Sequence, residues 1–203
     1  MKKIISNRFL PAGYFRQVSK PIGHSSGKET VFQKNYDEIG CIISLRLLSS
    51  PADRALSSHF LLGEEETEYE TAISTNIAQS NSAQSFIVSV NNKSFCQADI
   101  IHANQDDISC FIHVNNSAYV LQLLPEQQLL KSSKISVAIL KTCLIYLTTF
   151  DEVQQIFIKT DPEDKLLHSI LSQAGFHPIQ EEITEPERLT IFHFQLSELR
   201  SQL

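Results

Sequence analysis

The stretch from Ala118 to Phe176 constrains the fold more than any other part of the chain. Residues 118–124 (AYVLQLL) form a compact apolar run ended by Pro125, and residues 155–160 (QIFIKT) form a second. Residues 133–149 lie between them and carry two apolar stripes at helical spacing. One stripe is Ile135, Ala138, Ile139, Thr142 and Tyr146; the other is Val137, Leu140, Leu144 and Leu147. A helix apolar on so much of its circumference is buried rather than surface-lying. Two strands joined through such a helix are expected to be parallel neighbours with a right-handed crossover. A second helix is expected after them, with Asp161 as its cap, Pro162 at its first position, and Glu163 and Asp164 in its first turn. Leu166, Leu167, Ile170, Leu171 and Ala174 make its apolar face, and Gly175 supplies a left-handed stop.

The rest of the chain reads as antiparallel structure on either side of this unit. Residues 6–30 are rich in Gly, Pro and Ser and suggest an extended arm with a short strand near 30–33. A strand over 41–47 is followed by a helix starting at Ser50-Pro51, with Leu56 and Phe60 facing inward and Gly63 as its end. A second helix covers 64–79, opened by acidic residues. The pattern then switches to period two. Strands over 85–90 and 94–102 flank Asn91-Asn92-Lys93, a turn suited to left-handed backbone angles. Residues 104–107 read as a polar loop, 108–114 as a further strand, and 178–184 and 188–196 as two closing strands, with a helical turn from Ser197.

At 203 residues this makes one folded unit, divided into a basic N-terminal arm (1–40) and a domain (41–203). Before Glu29 the chain holds Lys2, Lys3, Arg8, Arg16, Lys20 and Lys28 and no acid, which gives either a solvated arm or cations reaching an anionic ligand. No apolar run approaches a membrane span, and the apolar start at Ile4-Ile5 is broken at Ser6, Asn7 and Arg8, so neither a membrane segment nor a secretory leader is expected. Net charge of -6 argues against nonspecific nucleic-acid binding. Cys41, Cys96, Cys110 and Cys143 have no metal-like spacing and read as structural thiols of a cytoplasmic protein.

This order of elements resembles the GNAT superfamily of acyl-CoA N-acyltransferases, together with the buried helix and the segment from Thr160-Asp161-Pro162 to Ala174-Gly175-Phe176. The resemblance covers about residues 41–196. Within it, residues 94–102 followed by Asp106-Asp107, and the Pro186-Glu187-Arg188-Leu189 ending, are most similar to the branch that acylates hydroxylamine-type amines in siderophore synthesis. The fold implied is a mixed α/β sheet with antiparallel N-terminal strands and a central parallel pair. The co-substrate implied is acetyl-CoA or another acyl-CoA, and the partner a small-molecule amine.

In that family the two central strands splay apart, and their unpaired backbone groups hold pantetheine; Leu123 and Leu124 occupy that position. The pyrophosphate is implied to sit over the loop before the buried helix, where free N–H groups and the helix dipole favour an anion. Gln128, Lys131, Ser132, Ser133 and Lys134 are the candidates there. The family signature Gln/Arg-x-x-Gly-x-Gly/Ala is degenerate, because Lys131 and Ser133 replace its glycines. Leu171 stands where many members keep a Tyr as the acid for the leaving thiolate, and Asn115-Asn116-Ser117-Ala118-Tyr119 replaces the siderophore branch's Asp-x-Gly-x-His. Tyr119 then reads as a proton donor or a packed aromatic, and His102 as a base or a capped strand-end histidine. His113 faces the cleft or the core, and His168 is expected on the solvated side of its helix. The missing residues also motivate an alternative, a GNAT-fold module that binds a partner without catalysis.

Overall fold

A computed structural model describes residues 30–48, 83–124, 132–183 and 188–201. The two helices expected between residues 50 and 79, and most of the basic arm, lie outside the described residues. Eight strands form one sheet in the order β1-β2-β3-β4-β5-β6-β8-β7. In chain order they are β1 (Thr30–Tyr36), β2 (Cys41–Leu47), β3 (Ala83–Val90), β4 (Lys93–His102), β5 (Ala118–Leu124), β6 (Gln155–Thr160), β7 (His177–Ile183) and β8 (Arg188–Gln195). Helix α1 (Ser133–Leu147) joins β5 to β6, α2 (Lys165–Ala174) follows β6, and α3 (Leu196–Arg200) closes the chain. Neighbouring strands are antiparallel except β5 and β6, which are parallel. The mixed sheet with a central parallel pair is therefore as the sequence implies.

Local chemistry fixes the turns. Asn91 and Asn92 both adopt positive φ (49° and 64°) in the β3–β4 hairpin, the backbone that a tight two-residue turn demands. Gly175 ends α2 at φ 100°, and an added Cβ would meet Phe194 Cε2 at 2.9 Å. Two expectations need correction. Helix α2 starts at Lys165 and is capped by Asp164, whose carboxylate accepts from Leu167 N at 2.9 Å. Asp161 instead accepts from Glu163 N, so its side chain shapes the turn ahead of the helix. Residues 108–114 form no strand: Asp107–Cys110 is a 3-10 turn capped by Asp106, whose carboxylate accepts from Ile108 N. Only Ile108 of that apolar run is fully buried, and the local side-chain hydrogen bond wins over strand pairing.

The core has two sides. Leu121 and Leu123 of β5, and Ile156 and Ile158 of β6, pack under α1 and α2 with Ile139, Leu140, Leu144, Leu167 and Leu171. On the other face Ile101, Val120, Phe157 and Ile191 pack with Ile108 and Ala103 of the β4–β5 connection. Near the C-terminus, Arg200 of α3 donates to the carbonyls of Thr148, Phe150 and Val153, which clamps the turn between α1 and β6.

Candidate functional site

The ladder between β5 and β6 stops early. Ala118 pairs with Gln155, Tyr119 with Ile156 and Val120 with Phe157, and there the pairing ends. Both strands continue. Strand β5 stays registered with β4 up to Leu124, and β6 with β8 up to Thr160. Beyond Val120 and Phe157 the two inner edges face each other without a ladder, so main-chain donors and acceptors there are open to a ligand. A cavity of about 220 Å³ occupies this gap, lined by Val120, Leu121, Gln122 and Leu123 on one side and Ile158 and Lys159 on the other. Leu140 of α1 and Leu167 and Leu171 of α2 complete its wall.

Helix α1 is the next described element after β5, with residues 125–131 between them outside the described residues. Ser132 is the N-cap residue but makes no side-chain capping hydrogen bond; its carbonyl instead accepts from Ser136 N and Oγ, each at 3.0 Å. No acid occupies that first turn, and Ser133 and Lys134 are exposed. Such a helix end favours an anion. Gln128 and Lys131 lie outside the described residues.

Lys159 is the cation of the slot. Its ammonium donates to Asp106 Oδ1 at 2.7 Å and to Asp107 Oδ1, both from the β4–β5 connection. Burial and the Asp107 carboxyl raise the Asp106 pKa, opposed by Lys159. Burial of Asp107 is outweighed by hydrogen bonds from Asp106 and Lys159, so its pKa falls. Lys159 is likewise partly buried, yet the two carboxylates hold its pKa above the usual value and keep it an ammonium. Sequence reasoning used Asp106-Asp107 only as a marker of resemblance and missed Lys159. The available signal was a single cation in an otherwise apolar or neutral strand, QIFIKT.

Tyr119 lies in the closed part of the ladder, one residue before its last pair, on the helix side of the sheet with Leu121. Burial raises its pKa, with a smaller contribution from Glu152. His102 stands opposite it in register, and the rings meet edge-on with centroids 5.0 Å apart. His102 Nδ1 accepts from Asn104 N at 3.3 Å, which leaves Nε2 to donate to Asn116 O at 3.0 Å. Both ring nitrogens are thus engaged by the β4–β5 connection. His113 is exposed rather than facing cleft or core. His168 is not solvated as expected: its Nε2 lies 3.0 Å from both Thr160 Oγ1 and the Asp161 carbonyl. Among the described residues no group of His, Cys, Asp and Glu could hold a metal ion, and no helix is long and apolar enough to cross a membrane.

No protein-family model matches the sequence, and no curated protein is significantly similar to it. Solved structures do match. An uncharacterized protein from Bacillus halodurans superposes with a TM-score of 0.70 at 13% identity, over 84% of this chain and 93% of that one. The aminoglycoside acetyltransferase AAC(6')-Ib in complex with coenzyme A gives 0.64 at 15%, over 78% and 98%. The spermidine/spermine N-acetyltransferase SpeG from Vibrio cholerae gives 0.57 at 14%, over 79% and 98%. The fold is the GNAT acetyltransferase fold. At such identities the likeness establishes the architecture, and the early end of the β5–β6 ladder is a feature that this chain shows by itself.

Proposed function

We propose that this protein transfers an acyl group, acetyl or another, from acyl-CoA to a small-molecule amine or hydroxylamine. The observation that carries the reading is the slot between β5 and β6, together with an α1 N-terminus whose N-cap Ser132 makes no side-chain capping hydrogen bond. A pantetheine arm fits such a slot chemically, because its amides need main-chain partners and the edges at Leu123 and Leu124 offer them. Its pyrophosphate belongs at Ser132, Ser133 and Lys134, with Gln128 and Lys131 adding a donor and a charge. The solved structures that support the donor contain coenzyme A, and those that support the acceptor are enzymes named for aminoglycosides and for spermidine or spermine. Free thiols at Cys41, Cys96, Cys110 and Cys143 fit a cytoplasmic setting.

In the reaction the amine nitrogen attacks the thioester carbon, the C–N bond forms, and the C–S bond breaks with its electron pair going to sulfur. Leu171, which stands where the resemblance implies a tyrosine hydroxyl to protonate that sulfur, lines the slot. Tyr119 is the hydroxyl we assign to this step, and His102 orients it through the edge-on ring contact. Lys159 lines the slot, and its ammonium, held by Asp106 and Asp107, fastens β6 to the β4–β5 connection beside the reacting groups.

The second reading, a partner-binding module without catalysis, is favoured by Leu171 and by the glycines missing from the phosphate loop. Calorimetric titration with acetyl-CoA separates the two. Saturable binding that weakens in Lys131→Glu is the expected result; no heat at millimolar acyl-CoA removes the enzymatic reading.

A further inference from the structure

The slot between β5 and β6 differs on the two faces of the sheet. Side chains alternate along a strand, so Val120, Gln122 and Lys159 look to one face. Leu121 and Leu123 of β5 and Ile158 of β6 look to the other, where Leu140 of α1 and Leu167 and Leu171 of α2 close over them. Among the described residues every side chain on the helix side of the cavity is aliphatic. The two polar ones, Gln122 and Lys159, stand on the opposite face, and the Lys159 ammonium is held by Asp106 and Asp107.

The cavity therefore offers two kinds of contact. Along the strand edges lie main-chain donors and acceptors, which suit the amides of pantetheine. Under the helices the lining is hydrocarbon, and an amide placed there loses its hydrogen bonds. Leu140, Leu167 and Leu171 are almost closed to solvent, at 0%, 3% and 1% exposure. Space against such a wall forfeits the dispersion contacts of a filled core, and water finds no hydrogen-bond partner on it. A hydrocarbon guest restores the contacts without a polar cost.

Size limits that guest. A benzene ring occupies an apolar cavity of about 150 Å³, so the space of about 220 Å³ here takes about nine non-hydrogen atoms on the same scale. The thioethyl end of pantetheine uses about three of them, which leaves about six for the acyl group and its oxygen.

We propose that this protein takes, in preference to acetyl, a short aliphatic acyl group of about four to five carbons, lodged under Leu140, Leu167 and Leu171. The inference rests on the acyl-transfer reading above and names the donor class, a butyryl- or isovaleryl-type acyl-CoA. The bonds made and broken are those already given: the amine nitrogen joins the acyl carbon, sulfur leaves with the electron pair, and nitrogen gives up one proton as the thiolate takes one. An acetyl group follows the same course but leaves part of the leucine wall uncovered.

The test is calorimetric titration of the full-length protein with CoA, acetyl-CoA, butyryl-CoA and octanoyl-CoA. Each CH₂ moved from water into the cavity is worth about fourfold in affinity, so butyryl-CoA is expected to bind about tenfold more tightly than acetyl-CoA. Octanoyl-CoA, too long for the space, is expected to bind no more tightly than butyryl-CoA. Leu171→Phe fills part of the cavity and is expected to bring the two shorter thioesters to within about twofold of each other. Should that variant not fold, Leu167→Phe narrows the same wall and is read in the same way, and the wild-type chain-length series decides the matter without either. Equal affinity of the wild type for acetyl- and butyryl-CoA overturns the inference and leaves acyl transfer standing. So does a gain that continues unbroken to octanoyl-CoA, or a full preference for butyryl-CoA that survives in the filled variant. Absence of binding by CoA and all three thioesters overturns the acyl-transfer reading and this inference with it.

Discussion

The same two strands behave differently along their length. At Ala118–Val120 and Gln155–Phe157 they are hydrogen-bonded neighbours; beyond that they part, although each keeps its other neighbour to the end. A frayed sheet would lose both ladders, so the parting is built. At the closed end Gln154 N and Gln155 N both donate to Ser117 O, and Arg200 fastens the turn leading into β6. At the open end leucines from β5, α1 and α2 line a cavity between the edges, and Lys159 turns toward Asp106 and Asp107. The closed end is an anchor, and the open end is where main-chain polar groups are left for something else to satisfy.

Changes at the closed end should therefore cost stability, and changes at the open end should cost ligand response. Arg200→Ala has the largest expected effect on folding, because a charged donor is removed from three carbonyls. A loss of about 3 kcal/mol by urea denaturation is predicted; a loss under about 1 kcal/mol would mean that the turn is held without the clamp. Gly175→Ala follows at about 2 kcal/mol, from left-handed strain and the contact with Phe194.

At the open end Lys159→Met should change stability by about 1 kcal/mol or less, since the ion pairs are partly exposed. It should nonetheless lower acyl transfer about tenfold or more, because β6 then loses its fastening beside the reacting groups. Stability and activity falling together would assign Lys159 to the scaffold. Tyr119→Phe is expected to lower turnover less severely, and an unchanged rate would make Tyr119 a packed aromatic. The smallest effect concerns pH. The folded pKa of Asp99 is raised by burial, so the folded state holds its proton at pH values where the unfolded chain has lost it. Stability from this group is complete below the unfolded carboxyl value and is lost as pH rises through the folded value. Asp99→Asn should therefore melt slightly higher than wild type at neutral pH, with the difference vanishing in acid.

The closed end was legible in the sequence and the open end only in part. Continuous apolar runs at 118–124 and 155–160 around a helix apolar on two stripes specify parallel neighbours, because few other arrangements bury such a set. Nothing in AYVLQLL or QIFIKT marks where pairing stops, and the cavity there is walled in part by Leu140, Leu167 and Leu171 from the two helices. The Lys159 cluster was hidden for the same reason, its partners lying 53 and 52 residues away. Residues 108–114 misled because period alone cannot register a competing hydrogen bond from Asp106 to the backbone. The expectation for His168 failed because helical spacing does not reveal Thr160 beside it on β6.

Hydrogen exchange with and without acetyl-CoA tests the central claim most directly, residue by residue along β5 and β6. The account predicts that saturating acetyl-CoA slows exchange at amides within Leu121–Leu124, Ile158–Thr160 and the first turn of α1, and leaves Ala118–Val120 unchanged. Protection confined to other parts of the protein, or none at saturating ligand, would contradict it.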